Sequence, residues 1–510
     1  MDNSHVLPRT LVMYGIVVCL AAFIGLAVAN PGTLSIAAVG LICVIIALPL
    51  IIRWHYLFLL LSWNAAVCVF FLPGRPALWM LMSGISLGIA IVTRLVTHRS
   101  TFINVPSITW PLIVLAIVVL VTAYARGGIG FQSLGASTFG GRRYVNIVAA
   151  VIGFFALVNC QIPMRQATFS TAAFFLPGLT AVVSNLIYLA GPALYFLYWI
   201  FPADLAHGQA FVDYTVGNSV RRLAGFAPAG SALLSVMLFR YGLRGVLDIT
   251  KPWRLLLLAI VLATSLFGGY RSSLVMFAIV FALQFYFERL YRTKLLLVIG
   301  IVAVITAAIL PFTADKLPLS FQRSISFLPI KVDPVAKFDA YLSTDWRLRM
   351  WKLLVPDIPK YLLLGKGYAL DPTEMYLLQW GVTQGYFSDV DLPIMVGNYH
   401  NGPLTLLIPF GLGGTLAFVW FGLATVRLLY RNYRYGPPEL KTINTFLLCY
   451  FSMRLLYFMT FWGQIVEDFF ILSGVAGLAI ALNGGMHRPE AAAPVTEVAS
   501  VDPELQPVPA

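Results

Sequence analysis

Residues 294–312 read KLLLVIGIVAVITAAILPF, charged only at the first position. Such a stretch cannot be covered by water. In lipid it must satisfy every backbone N–H and C=O within itself, which an α-helix does. Crossing a bilayer takes about 20 mostly apolar residues. Runs of that kind recur near 10–30, 33–52, 54–72, 76–96, 106–125, 143–162, 169–199, 224–242, 253–269, 272–290, 294–312, 402–426, 441–461 and 465–483. The chain therefore reads as an all-α, polytopic integral membrane protein with about 12–14 transmembrane helices. The seventh run is interrupted by Gly191-Pro192 and reads as one helix plus a re-entrant or interfacial turn. Only Tyr270 and Arg271 separate 253–269 from 272–290.

Of 510 residues, 59% are hydrophobic and 11% charged. A soluble domain is nearer a quarter charged, so these charges are too few for a water-facing surface. A net charge of +13 would suggest nucleic acid in a soluble chain. Here basic cytoplasmic loops absorb it, and no basic, aromatic-interleaved stretch offers a nucleic-acid face. The partner that composition implies is the lipid bilayer. Cys19, Cys43, Cys68, Cys160 and Cys449 each lie in an apolar run, without zinc or disulfide spacing.

The first run begins near Leu11, after the single basic residue Arg9. It is long enough to span and reads as a first transmembrane helix, not a cleaved signal. With the N-terminus inside, the inner connections and tails carry seventeen Lys and Arg. The short outer connections carry seven: Arg75, Arg126, Arg142, Arg143, Arg221, Arg222 and Arg271. Basic residues favour the cytoplasmic side, so the asymmetry supports this orientation. It divides the chain into a cytoplasmic N-terminus (1–9), a transmembrane domain (10–485) and a Pro-, Ala- and Glu-rich cytoplasmic tail (486–510) with no core-forming pattern. One large extracytoplasmic loop, 313–400, lies within the transmembrane domain. Its stretch STDWRLRMW (343–351) suits an interfacial helix anchored by Trp346 and Trp351.

Placed on this topology, only His207 and His400 among six histidines face outward. His400 stands where the long loop returns to the bilayer, within VGNYHNGPLTLLIPFGLGG (396–414). Arginines in short outer turns run against the orientation bias. They are lipid-headgroup contacts or an anion site. Arginine forks match phosphate oxygens bidentately, and Gly268-Gly269 before Arg271 permits close backbone approach above a helix start. Arg347 and Arg349 belong either to an amphipathic surface helix or to the same anion site. Carboxylates are plentiful in the loop, but none is spaced as a calcium or DxD-type metal site. Arg454, within a span, has Glu467 and Asp468 as candidate partners for a structural ion pair.

RRLAGF (221–226), GGYRSSLV (268–275), RLRMWKLLVPDIPKYLLLGKGYAL (347–370) and YHNGPLTLLIPFGLGG (399–414) follow one another in that order. This ordered set resembles the O-antigen ligase and O-antigen polymerase superfamily over about 220–415, while the first 200 residues match only as a set of spans. Tyr270 and Ser272 replace the usual Ser and Gly around the turn arginine. The resemblance implies a membrane glycosyltransferase with a fold similar to the GT-C class, inverting and independent of metal or other cofactor. It would act on the extracytoplasmic face of a bacterial inner membrane during cell-surface polysaccharide (lipopolysaccharide O-antigen or exopolysaccharide) biosynthesis. The donor would be a glycan on polyprenyl pyrophosphate, and the acceptor a sugar hydroxyl on another glycan or on lipid A core. By motif, Arg222 and Arg271 would hold the pyrophosphate and His400 would activate the acceptor hydroxyl. Arg221, Arg347, Arg349, Asn398 and Asn401 are further candidate substrate contacts. A transporter or flippase of lipid-linked or anionic substrates would also explain outer arginines. It would not explain a long outer loop ending in His-Asn, and transporters place charged sites near mid-membrane on broken helices. A structural scaffold explains none of the outer arginines.

Overall fold

Helices follow the apolar runs in the computed structural model. It describes residues 33–72, 74–97, 102–128, 141–207, 209 and 220–487, with isolated positions 18, 21 and 25. Among the described residues there is no strand, only an isolated bridge between Cys68 and Ala77. Eight helices are long and apolar enough to cross a membrane: Leu78–Val96, Pro106–Arg126, Met164–Ala190, Phe226–Val246, Leu295–Lys316, Gly402–Tyr435, Pro438–Thr460 and Ile465–Asn483. Leu48–Trp63, Pro252–Leu266 and Arg271–Phe287 are shorter apolar helices. The chain is a polytopic, all-helical membrane protein. The 1–9 segment, most of the 10–30 run and the tail from 488 lie outside the described residues.

One expectation needs correction. The runs 33–52 and 54–72 are not two full helices. One helix, Thr33–Trp63, passes through Arg53 with a kink at the non-helical Trp54, and residues 64–72 are not helical. Asn64 explains part of the stop: its side-chain amide donates to the Phe174 carbonyl at 2.7 Å. Irregular backbone is tolerated at this depth where protein supplies its partners. At the other break, Met164–Ala190 ends at Gly191 (φ 94°) and a short 3₁₀ segment, Pro192–Trp199, follows.

Glycines set how closely the helices approach, as expected where lipid gives no hydrophobic drive between them. Trp63 is fully buried and donates to the Phe470 carbonyl at 3.1 Å. A Cβ on Gly474 would lie 2.1 Å from its indole, and one on Gly153 2.5 Å. The final helix, Ile465–Asn483, is accordingly the most enclosed, with 78% of its apolar window buried. Leu295–Lys316 has none of its window buried, so lipid is its solvent.

The 313–400 segment is largely helical: Leu319–Ile325, Pro334–Leu354, Ile358–Tyr361, Pro372–Thr383 and Asp391–Met395. Asp333 caps the long helix by accepting from Val335 N at 2.8 Å, with Pro334 at its first position. Met350 and Leu354 of that helix share a small core with Val390, Tyr399, Leu404 and Ile408. Trp346 and Trp351, expected at the bilayer surface, pack against this small core. Trp351 Nε1 donates to the Tyr399 carbonyl at 2.8 Å, and the Trp346 ring meets His400 edge-on at 5.2 Å. Trp346 Nε1 donates to the Asp389 carbonyl at 3.4 Å, so each indole N–H meets a backbone acceptor of the protein.

Gly402–Tyr435 starts at Asn401, whose side chain accepts from Leu404 N at 3.1 Å. It breaks at Gly411 (φ 62°). The freed carbonyls of Ile408 and Pro409 accept from Lys366 N (2.7 Å) and Gly367 N (3.0 Å), while Leu412 N donates to the Leu362 carbonyl (2.7 Å). The break thus docks the 362–367 turn and fixes the helix start that carries His400.

Candidate active site

The site is assembled around the 267–271 turn. Gly269 has φ 66°, and a Cβ there would meet Arg222 Cγ at 3.0 Å. Glycine is required twice over: for the left-handed backbone and for the passage of the Arg222 side chain. Leu223 N donates to the Phe267 carbonyl at 3.1 Å, laying the 220–226 segment across the turn.

The helix Pro334–Leu354 closes over this pair with one face. Asp339, Ala340, Thr344 and Arg347 recur at helical spacing. Arg271 Nη2 donates to the Ala340 carbonyl (3.0 Å) and to Thr344 Oγ1 (2.9 Å). Asp339 Oδ2 accepts from Val220 N at 3.0 Å. A residue that carried no motif completes the ring: Arg323, 3% exposed, donates to the Gly269 carbonyl and pairs with Asp339 at 3.2 Å. Nothing in the sequence separates Arg323 from the other basic residues of the long loop. Its placement depends on the short helix Leu319–Ile325 folding back onto the turn.

Arg222, Arg271, Arg323 and Arg347 thus converge from four chain segments, within electrostatic reach of one another. The carboxylate paired with them is Asp339. Burial, then the Arg222 charge, press Arg323 down to about 10 against the pull of Asp339. Burial first, and the Arg271 and Arg222 charges, also lower Arg347. Guanidiniums stay protonated in proteins, so among the described residues four like charges face one paired carboxylate, Asp339. The Nε atoms of Arg222 and Arg347 are buried with no hydrogen-bond partner. An unmade charged donor is costly, and an anion with several acceptor oxygens would satisfy both.

His400 adjoins this cluster through Arg347. Burial first, and the Arg347 charge second, hold its imidazole down to about 4, so it is neutral at pH 7. Its backbone is left-handed (φ 50°), on the order of 1 kcal/mol of strain. Trp462 Nε1 donates to His400 Nδ1 at 2.7 Å. An indole N–H can only donate, so Nδ1 presents its lone pair and the neutral ring carries its proton on Nε2. Trp462 was not singled out in the sequence; it lies sixty-two positions away and meets His400 only through the fold.

The other expected residues separate. Asn398 Oδ1 accepts from the Gln464 side chain, whose backbone N–H donates to Asp468 Oδ2 at 2.9 Å. Asn398 is therefore tied to the last helix, and Asn401 is spent as its helix cap. Arg349 pairs with Asp345 (2.9 Å) and Asp389 (3.2 Å) at the surface. Arg221 is exposed while its neighbour Arg222 turns inward. Arg454 pairs with Asp468 at 3.6 Å, as the sequence suggested. Among the described residues, no group of three or more His, Cys, Asp or Glu is placed to hold a metal ion.

Residues 255–419 match a family model described as O-Antigen ligase. The match supports the O-antigen ligase and polymerase superfamily, whose members are glycosyltransferase-type enzymes. No curated protein matches the chain.

Proposed function

Starting from a region that matches O-antigen ligases, we propose that this protein transfers a glycan from a polyprenyl-pyrophosphate carrier to a sugar hydroxyl, with inversion at the anomeric carbon. The observation that carries the reading is the four-arginine cluster with buried, unpartnered Nε atoms beside a neutral histidine. Arg222 and Arg271 hold the pyrophosphate, and Arg347 lies between it and His400. Arg323 supports the cluster from behind through Gly269 and Asp339.

The acceptor hydroxyl gives its proton to His400 Nδ1. Its oxygen attacks the anomeric carbon, and the bond to the pyrophosphate oxygen breaks with its electron pair. Charge therefore grows on the leaving group, where fixed guanidiniums stabilise it. In the resting state the Trp462 N–H occupies the Nδ1 lone pair. The acceptor hydroxyl takes that place. Burial first, and the Arg347 charge second, keep the imidazole a weak base; donor phosphates offset the Arg347 part, so donor binding favours proton transfer.

The transporter reading loses its one mid-span cation, because Arg454 is paired with Asp468 and lies near the Tyr450 hydroxyl. The experiment is His400→Ala in a cell that makes the polymer. Folded protein, accumulated carrier-linked glycan and no finished product are expected; normal product overturns the catalytic role. Accumulated single repeat units identify a polymerase, and undelivered full-length chains a ligase.

A further inference from the structure

A second cationic site lies at the other end of the bundle. His400 precedes the helix Gly402–Tyr435 and Arg434 lies in its last turn, about 35 Å beyond the Gly411 break at 1.5 Å per residue. There a cavity of about 670 Å³ is lined by Arg244, Arg289, Arg434 and Lys441. These four come from the ends of different helices. The sequence asymmetry assigns them all to the cytoplasmic side.

One carboxylate, Glu288, also lines the cavity, but it is already engaged. Its two oxygens accept from Leu243 N (2.7 Å) and Arg244 N (2.9 Å), where the helix Phe226–Val246 kinks at Gly242. The Gln284 amide donates to it as well, at 2.8 Å. Lys441 is held in place rather than neutralised: it donates to the Tyr433 carbonyl at 2.5 Å and sits 3.9 Å over the Tyr433 ring. Arg289 and Arg434 both lie within electrostatic reach of it. Arg289 is presented from a left-handed backbone, φ 59°. The cavity volume falls in the range of sites for one small ligand, about 300–1,000 Å³. Basic pockets between transmembrane helices suit phosphate-bearing lipid heads.

We propose that this cavity binds the phosphate headgroup of one anionic membrane lipid, on the face opposite the transfer site. The aromatic wall of Tyr241, Phe287 and Tyr433 suits the level where headgroups meet acyl chains.

The test uses the delipidated full-length protein in a neutral detergent, following thermal unfolding. Phosphatidylglycerol is expected to raise the midpoint by several degrees, while phosphatidylcholine is not. The combined variant Arg289→Gln, Arg434→Gln, Lys441→Gln is expected to weaken the phosphatidylglycerol response at least tenfold in concentration. Arg292→Gln, a nearby basic residue outside the cavity, is expected to leave it unchanged. An equal response to phosphatidylcholine, or an unchanged response in the combined variant, overturns the site. The same response to inorganic phosphate alone overturns the lipid assignment. If the combined variant fails to fold, wild-type protein at 1 M salt decides: the lipid response should vanish there, and its persistence counts against the proposal.

Discussion

In the proposed function Arg222 and Arg271 act as forks as well as charges. A lysine at either position keeps the charge and loses bidentate geometry. Arg222→Lys and Arg271→Lys are each expected to lower turnover at least tenfold, and near-normal rates in both would point to headgroup anchoring. His400 must be neutral to accept a proton, and its free-state value is about 4. With donor subsaturating, kcat/KM reports the free protein, so its acid limb is expected near pH 4. Saturating donor should move that limb toward neutral, because phosphate charge offsets Arg347. Arg347→Gln should raise the free-protein limb, since removing a like charge favours imidazolium. A limb fixed near 6.5 under all three conditions would contradict the coupling. Trp462→Phe keeps the ring and removes the N–H that competes for Nδ1. A hydrogen bond is worth about 0.5–1.5 kcal/mol, so acceptor KM is expected to fall threefold to tenfold with kcat little changed. A rise in KM would make Trp462 a structural support only.

Among the elements, the break at Pro409–Gly411 governs where His400 stands. A Cβ on Gly365 would lie 2.1 Å from the Pro409 carbonyl oxygen. Gly365→Ala is therefore expected to undock the 362–367 turn and lower the unfolding midpoint markedly. Gly300→Ala meets nothing within 4 Å and, in a helix interior, should be neutral or stabilising. Thermal unfolding of the two side by side checks the claim. Element existence was largely legible, because apolar runs must become helices in lipid. The stop at Trp63 was not, since it depends on Asn64 meeting Phe174, a contact 110 positions away. The protein partners of the 343–351 tryptophans were not legible for a similar reason. An aromatic on an amphipathic helix suits a bilayer surface and a protein surface alike, and only the partner decides.

At the scale of the molecule, the site draws on segments that no single motif spans. Arg222 and Trp462 both lie outside the matched 255–419 region, yet one crosses Gly269 and the other caps His400. Arg222, Arg271 and His400 stand out in the sequence as polar groups that the expected topology places outside, and the fold brings each near Arg347. Arg323 was not, because one buried guanidinium in a loop of many charges leaves no periodic trace. The topology itself is open to test. A cysteine at Gln384, exposed in the 313–400 segment, should react with an impermeant thiol reagent from outside the cell, and one at Thr250 should not; the reverse would invert the orientation. The central claim is most directly tested by single-turnover transfer in purified, membrane-reconstituted protein carrying His400→Ala, following release of polyprenyl pyrophosphate from a glycan-loaded carrier. The account predicts that the carrier still binds, through Arg222 and Arg271, and that no pyrophosphate carrier is released to the acceptor reaction. Release at the wild-type rate would contradict it.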